Sequence, residues 1–138
     1  MEILINHISE LDRAVEQLFD FVKDRKKFFL TGELGAGKTA FVQAFCRYLK
    51  VEEQVTSPTY SIVNEYTFDQ GKKLVHHIDL YRLKNLEEAL QIGIEDYLND
   101  ANYCLIEWPD LIEEIAPSDV TKINIIILDE SRRKILFL

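Results

Sequence analysis

A chain of 138 residues, 47% hydrophobic and 11% aromatic, predicts one packed domain over residues 1–138 and argues against disorder. With 24 acidic against 16 basic side chains and a net charge of −8, it is not expected to hold tRNA or DNA by itself, because such surfaces are usually basic. No apolar run reaches the length of a membrane span and no signal-peptide pattern opens the chain, so no membrane association is expected and the cytoplasm is the default compartment.

Ile3 to Ile5 reads as a short first strand. Ser9 with Asp12 has the spacing of a capping box, and the helix it opens runs to about Val22, with Leu11, Ala14, Val15, Leu18, Phe19 and Val22 on one face. Lys23, Arg25, Lys26 and Lys27 close that helix and complement its negative end. Phe28 to Leu30 is then an apolar run of the right length for a buried strand. It leads into Gly32-Glu33-Leu34-Gly35-Ala36-Gly37-Lys38-Thr39, which fills the phosphate-loop pattern G-x-x-x-x-G-K-[ST] at every fixed position. Phe41, Val42, Phe45, Cys46 and Leu49 follow at helical spacing, so strand, loop and helix come in the order the motif requires.

The residue types in the loop have a chemical reason. Glycines let the backbone turn its N–H groups toward phosphate oxygens, and the positive end of the following helix adds to their field. Lys38 is expected to reach the β- and γ-phosphates, and the Thr39 hydroxyl to ligate Mg²⁺. A strand-to-helix turn that binds nothing would not need a lysine at the helix start.

Beyond the helix, Thr56-Ser57-Pro58-Thr59 reads as a hydroxyl-rich loop, an ordinary turn unless it serves as a nucleotide switch. Tyr60 to Phe68 and Lys73 to Asp79 read as a hairpin turned by Asp69-Gln70-Gly71-Lys72. Asn85 caps a short helix over Leu86 to Ile92, stopped by Gly93, with a further helical turn over Ile94 to Leu98. Asn102 to Glu107 is a second buried strand, and Pro109 suits the first turn of a helix reaching Ile115. Val120 to Leu128 and Lys134 to Leu138 are strands around the turn at residues 129–132. The fold expected is α/β, a mixed sheet of the phosphate-loop NTPase kind flanked by helices, with β-hairpin additions.

A phosphate loop needs an acid at a strand end to hold Mg²⁺ or its water. Two strands end in one, at Asp79 and at Glu107, although a solvent-facing carboxylate is the commoner fate of either. His76 and His77 are adjacent in a strand, point to opposite faces and cannot clasp one metal together; an ordinary strand position is the default, the alternative being that one of them lines the nucleotide site. Cys46 and Cys104 sit among apolar neighbours without ligand spacing and read as buried reduced thiols. Trp108 reads as an aromatic anchoring the strand end.

Taken together, GELGAGKT, TSPTYSIVNEY, HIDLYRL and LIEWPD resemble the signature blocks of the TsaE (YjeE) family, the ATPase subunit of bacterial tRNA threonylcarbamoyladenosine biosynthesis. The resemblance covers positions 32 to 110 in the family's order. It implies an ATP- and Mg²⁺-dependent protein in which Lys38 and Thr39 serve phosphate and metal, Glu107 serves Mg²⁺, and Asp79 positions the attacking water or the metal shell. It also implies a switch-like role for Thr59, a place beside the nucleotide for Trp108, and a place near it for Arg133. Ala40 departs from the family, which frequently carries a second Thr there. By resemblance the partners are TsaB- and TsaD-like proteins, with tRNA met only through that complex and slow hydrolysis by the free subunit, for which a homodimer stays open. Two other readings stay open: a small-molecule kinase, against which the absence of an Arg-rich lid speaks, and a nucleotide-dependent adaptor whose hydrolysis is incidental. A GTPase is disfavoured because no N-K-x-D segment occurs.

Overall fold

The structure, a computed structural model, describes residues 1–58 and 61–138. In chain order its elements are β1 (Glu2–Ile5), a 3-10 turn (Ile8–Glu10), α1 (Leu11–Val22), β2 (Lys27–Thr31), α2 (Lys38–Leu49), β3 (Val63–Phe68) and β4 (Lys73–Asp79). There follow α3 (Leu86–Gln91), α4 (Ile94–Asn99), β5 (Tyr103–Glu107), a second 3-10 helix (Pro109–Ile115), β6 (Thr121–Ile127) and β7 (Arg133–Phe137). The strands form one sheet in the order β1-β7-β6-β2-β5-β4-β3. Its centre, β6-β2-β5-β4, is parallel, while β3 on one side and β7 and β1 on the other add antiparallel pairings. This is the mixed sheet with grafted hairpins expected from the sequence.

Strand alternation explains the two apolar layers. Phe28 and Leu30 of β2 face α1 and α2, packing in the cluster that holds Leu18, Phe41 and Phe45. Phe29 faces the other way, with Ala89, Ile94, Leu98 and Ile112. A strand covered on both faces reads as a continuous apolar run. The predicted face of α1 is buried at Leu11, Ala14, Val15, Leu18 and Val22; Phe19 is only partly buried and lies against the rings of Phe45 and Tyr48.

Several local expectations shift, each for a physical reason. The capping box falls two residues early, because the 3-10 turn precedes α1: the His7 side chain accepts from the Ser9 amide, and Glu10 accepts from the His7 amide. Arg25 does close α1, donating to the carbonyls of Val22 and Phe21. Lys27 does not. It opens β2, is 7% exposed, and donates to Asp100, Tyr97 O and Asn102 O at 2.6–2.7 Å. β3 starts at Val63, after Ile62 with φ of 66°, and Tyr60 lies outside the described residues. The segment after Pro109 is 3-10 throughout. Cys46 and Cys104 are buried and unbridged, and burial pushes both thiols up to about 12. Among the described residues no helix is long and apolar enough to cross a membrane.

Candidate functional site

Parallel strands that run in one direction deliver their C-terminal ends to one edge of the sheet, and ligands gather there. β2 ends at Thr31 on that edge and passes into the loop of residues 32–37, which feeds α2 at Lys38. Gly35 and Gly37 have φ of 83° and 107°, a region that side chains disfavour. Gly32 is needed for another reason. A Cβ there would meet Ile125 O at 3.0 Å and the Ala36 Cβ at 3.2 Å. The Ala36 amide closes a turn onto Glu33 O, Leu34 stands 73% exposed at the loop tip, and no side chain caps α2, whose N-cap is Gly37. The first-turn N–H groups of a helix have no intrahelical acceptor, so this start is suited to an anion.

Lys38 is 7% exposed. Its ammonium donates to Gly32 O at 2.6 Å and sits 3.9 Å from the centre of the Trp108 ring. Burial holds its pKa below the ordinary lysine value, against the opposing charges of Glu107 and Asp79. A buried cation held by one carbonyl and a ring face gains from an incoming phosphate.

The two strand-end acids meet. β4 and β5 are neighbours in register, so Asp79 lies opposite Glu107, and the Leu80 amide donates to Glu107 O just beyond. Burial raises the Asp79 pKa and the Glu107 charge raises it further, while the Tyr81 amide, His77 and Lys38 pull it down. Glu107 is 4% exposed, and its Oε2 lies 2.5 Å from Nε2 of the fully buried His77. A cleft of about 380 Å³ is lined by Lys38, Thr39, Asp79, Glu107 and Trp108, with Ser57 at its border. Hard oxygen donors beside the phosphate-loop lysine suit Mg²⁺.

Trp108 has φ of 55° and also packs against Tyr81, with ring centres 5.1 Å apart. Thr59 lies outside the described residues. Arg133, at the start of β7, stands on the far side of the loop from the acids and braces it from behind. Its guanidinium donates to Ala36 O at 3.0 Å and Gly35 O at 3.4 Å, and to Asp129 O and Arg132 O in its own hairpin. On that side a second cavity of about 260 Å³, with Ile5, Ile8, Leu11 and Ile125 among its walls, adjoins Gly35 and Ala36.

Two parts of this arrangement escape the sequence reading. His77 carried a signal, its two-residue spacing from Asp79, which puts both on one face of β4. The apolar cavity carried none, since its walls come from the two ends of the chain.

Comparison with known proteins places the chain in one family. A family model described as "Threonylcarbamoyl adenosine biosynthesis protein TsaE" matches residues 5–135. The chain is 39% identical over 104 residues to the tRNA threonylcarbamoyladenosine biosynthesis protein TsaE of Haemophilus influenzae, a match covering 75% of this chain and 65% of that protein. It is 36% identical over 117 residues to the Bacillus subtilis protein of the same name, covering 85% of this chain and 72% of the relative. For that of Aquifex aeolicus the identity is 35% over 136 residues, covering 97% and 92%. The crystal structure of Bacillus subtilis YdiB superposes with a TM-score of 0.77 at 28% identity, covering 99% of this chain and 83% of that one.

Proposed function

The chain belongs to the TsaE family, and from that membership we propose that it is the ATP-binding and ATP-hydrolysing subunit required for threonylcarbamoyladenosine modification of tRNA. The observation that carries this reading is one cleft in which the phosphate-loop Lys38 and Thr39 face two carboxylates in register, Asp79 and Glu107. Lys38 leaves the Gly32 carbonyl to meet the β- and γ-phosphates, and the amides at the start of α2 take the remaining oxygens. Thr39 and Glu107 would hold Mg²⁺, which would neutralise charge developing on the phosphates. Asp79, on the opposite strand tip from Glu107, orients the attacking water. Trp108 sits beside the phosphates, and Arg133 keeps the loop in shape from behind. The base fits the apolar cavity across the loop.

The subunit docks on TsaB- and TsaD-like proteins and hydrolysis resets that assembly, leaving tRNA contact to them in keeping with the net charge of −8. Titration of ATP and of GTP, each with Mg²⁺, into the purified chain with and without those two proteins tests this reading. ATP turnover that rises only in the mixture, together with repeated rounds of tRNA modification, is the expected result. Preference for GTP, transfer of phosphate to a nucleoside, or many rounds of modification by a Glu107→Ala subunit would each overturn it, the last in favour of a nucleotide-dependent adaptor.

A further inference from the structure

His77 opens the HIDLYRL segment without a role of its own so far, yet its place is specific. It lies on β4 two residues before Asp79, so period-two geometry puts both on the α2 face of the sheet. Register pairs Asp79 with Glu107 and His77 with Leu105, which leaves the imidazole diagonal to the Glu107 carboxylate. The ring is 0% exposed, and Nε2 meets Glu107 Oε2 at 2.5 Å. Its other nitrogen, Nδ1, is buried without a partner among the described residues. Whether that atom carries a proton or a lone pair, it is a cost that an apolar side chain of similar size would not bring.

The neighbouring His76 makes a useful contrast. It also buries an unpartnered Nδ1, but its Nε2 reaches Glu65, a carboxylate 56% exposed on the edge strand β3, and its ring stands edge-on to Tyr97. That contact ties a surface. The His77 contact ties a carboxylate whose side chain is 5% exposed and which lines the phosphate cleft. A glutamate has three side-chain torsions, and one oxygen held from a rigid central strand leaves the other with a fixed direction. Partners of this kind orient metal-binding carboxylates.

We propose that His77 is the positioning residue for Glu107, donating from Nε2 to Oε2 so that the carboxylate is already set for Mg²⁺ when the nucleotide arrives. This rests on the assignment of the cleft to Mg²⁺ and nucleotide. The hydrogen-bonded route from His77 to the metal runs through Glu107, so its loss weakens the metal-dependent part of nucleotide binding and leaves the metal-free part intact.

The test is calorimetric titration of ADP, with Mg²⁺ and with EDTA, into the full chain and into His77→Leu, His77→Asn and His77→Gln, alongside ATP hydrolysis and thermal melts. Glutamine places its amide nitrogen near the position of Nε2, whereas asparagine keeps a donor that falls short. His77→Leu and His77→Asn should lose about 10- to 100-fold of the Mg²⁺-dependent gain in affinity and a similar factor in kcat, as removal of such partners commonly does. Their affinity in EDTA should stay within about 3-fold, their KM for Mg²⁺–ATP should rise with the lost Mg²⁺-dependent affinity, and His77→Gln should recover most of the loss. In a Glu107→Gln background the His77 substitutions should add nothing further, since their route to the metal is already gone. His76→Gln should leave the Mg²⁺ dependence unchanged.

An unchanged Mg²⁺ gain in His77→Asn, failure of glutamine to restore it, or full additivity with Glu107→Gln would overturn the proposal while leaving the nucleotide site standing. Absence of any Mg²⁺-dependent ADP binding by the parent chain would instead remove the assignment of the cleft, and the role of His77 with it.

Discussion

The phosphate loop has two sides, and the sheet serves them differently. On one side the parallel strands β4 and β5 end beside it, and strands that run in register end with their last side chains together. That half therefore delivers charge: Asp79 opposite Glu107, facing Lys38 across a cleft of about 380 Å³. On the other side the antiparallel hairpin of β6 and β7, with β1 beyond it, runs past the loop. That half delivers walls, a cavity of about 260 Å³ with Ile5, Ile8 and Ile125 in its lining, and one brace, Arg133. Strand direction thus separates two chemistries around one loop, a polar half and an apolar half, which the proposed function assigns to phosphate with metal and to the base.

The largest effect should come from the charged half. Lys38→Ala removes the only side-chain cation that reaches over the loop among its own residues, 32 to 39. Two charge-assisted contacts, to the β- and γ-phosphates, at about 1.5–3 kcal/mol each predict that a non-hydrolysable ATP analogue binds about 100-fold or more weakly by calorimetry. Because the buried ammonium already has a pKa below that of an ordinary lysine, the folded chain should melt no lower, and by a small margin higher, than the parent. A melt several degrees lower would mean that Lys38 stabilises the empty loop, and the separation of binding from stability would fail.

Next comes the brace between the halves. Arg133→Met keeps the apolar stem and removes the donors to Ala36 O and Gly35 O. A loosened loop should bind pyrophosphate and ADP more weakly by the same factor, about 5- to 30-fold, since shape and not base contact is lost. Loss confined to ADP would place Arg133 on the base instead. The apolar half should give the reverse pattern. Ile8 is 51% exposed on the cavity wall, so covering it with a flat ring removes apolar surface from water. Ile8→Asn should cost about 5- to 10-fold in ADP affinity and leave pyrophosphate binding unchanged.

This division also explains what could be read from the chain. The loop was legible because its pattern fixes glycines, lysine and threonine at set positions within eight consecutive residues. Asp79 and Glu107 were legible singly, as acids ending apolar strands. Their pairing was not, because α3 and α4 intervene and the register of a parallel pair is set by packing on both faces. His77 was hidden by His76: two adjacent histidines in a strand look like ordinary strand residues until the partner on each face is known. The apolar cavity had no local signal at all, since Ile5 and Ile8 meet Ile125 only after β7 has paired with both β1 and β6. Lys27 misled for the opposite reason. Its run of basic neighbours suggested a helix end, whereas tertiary partners 70 or more positions away took it into the sheet.

The smallest effect lies in the turn that carries the brace. Asp129 accepts from the Ser131 and Arg132 amides and from the Arg132 guanidinium, and these bonds, the Arg132 amide first, hold its carboxyl at about 2. A carboxyl depressed on folding stabilises the protein above its ordinary value of 3.8, and that contribution drains away as the pH falls toward about 2. Asp129→Asn keeps an acceptor for the amides and removes the charge. Its melting temperature should lie slightly below the parent's at pH 7, by a small amount because the side chain is solvent-screened, and the gap should close between about pH 4 and pH 2. Since Arg133 donates to the Asp129 carbonyl as well, any loosening of this turn reaches the loop through the brace. A gap that persisted undiminished at low pH would show that the turn depends on backbone geometry and not on charge, and the brace would then be anchored independently of Asp129's ionisation.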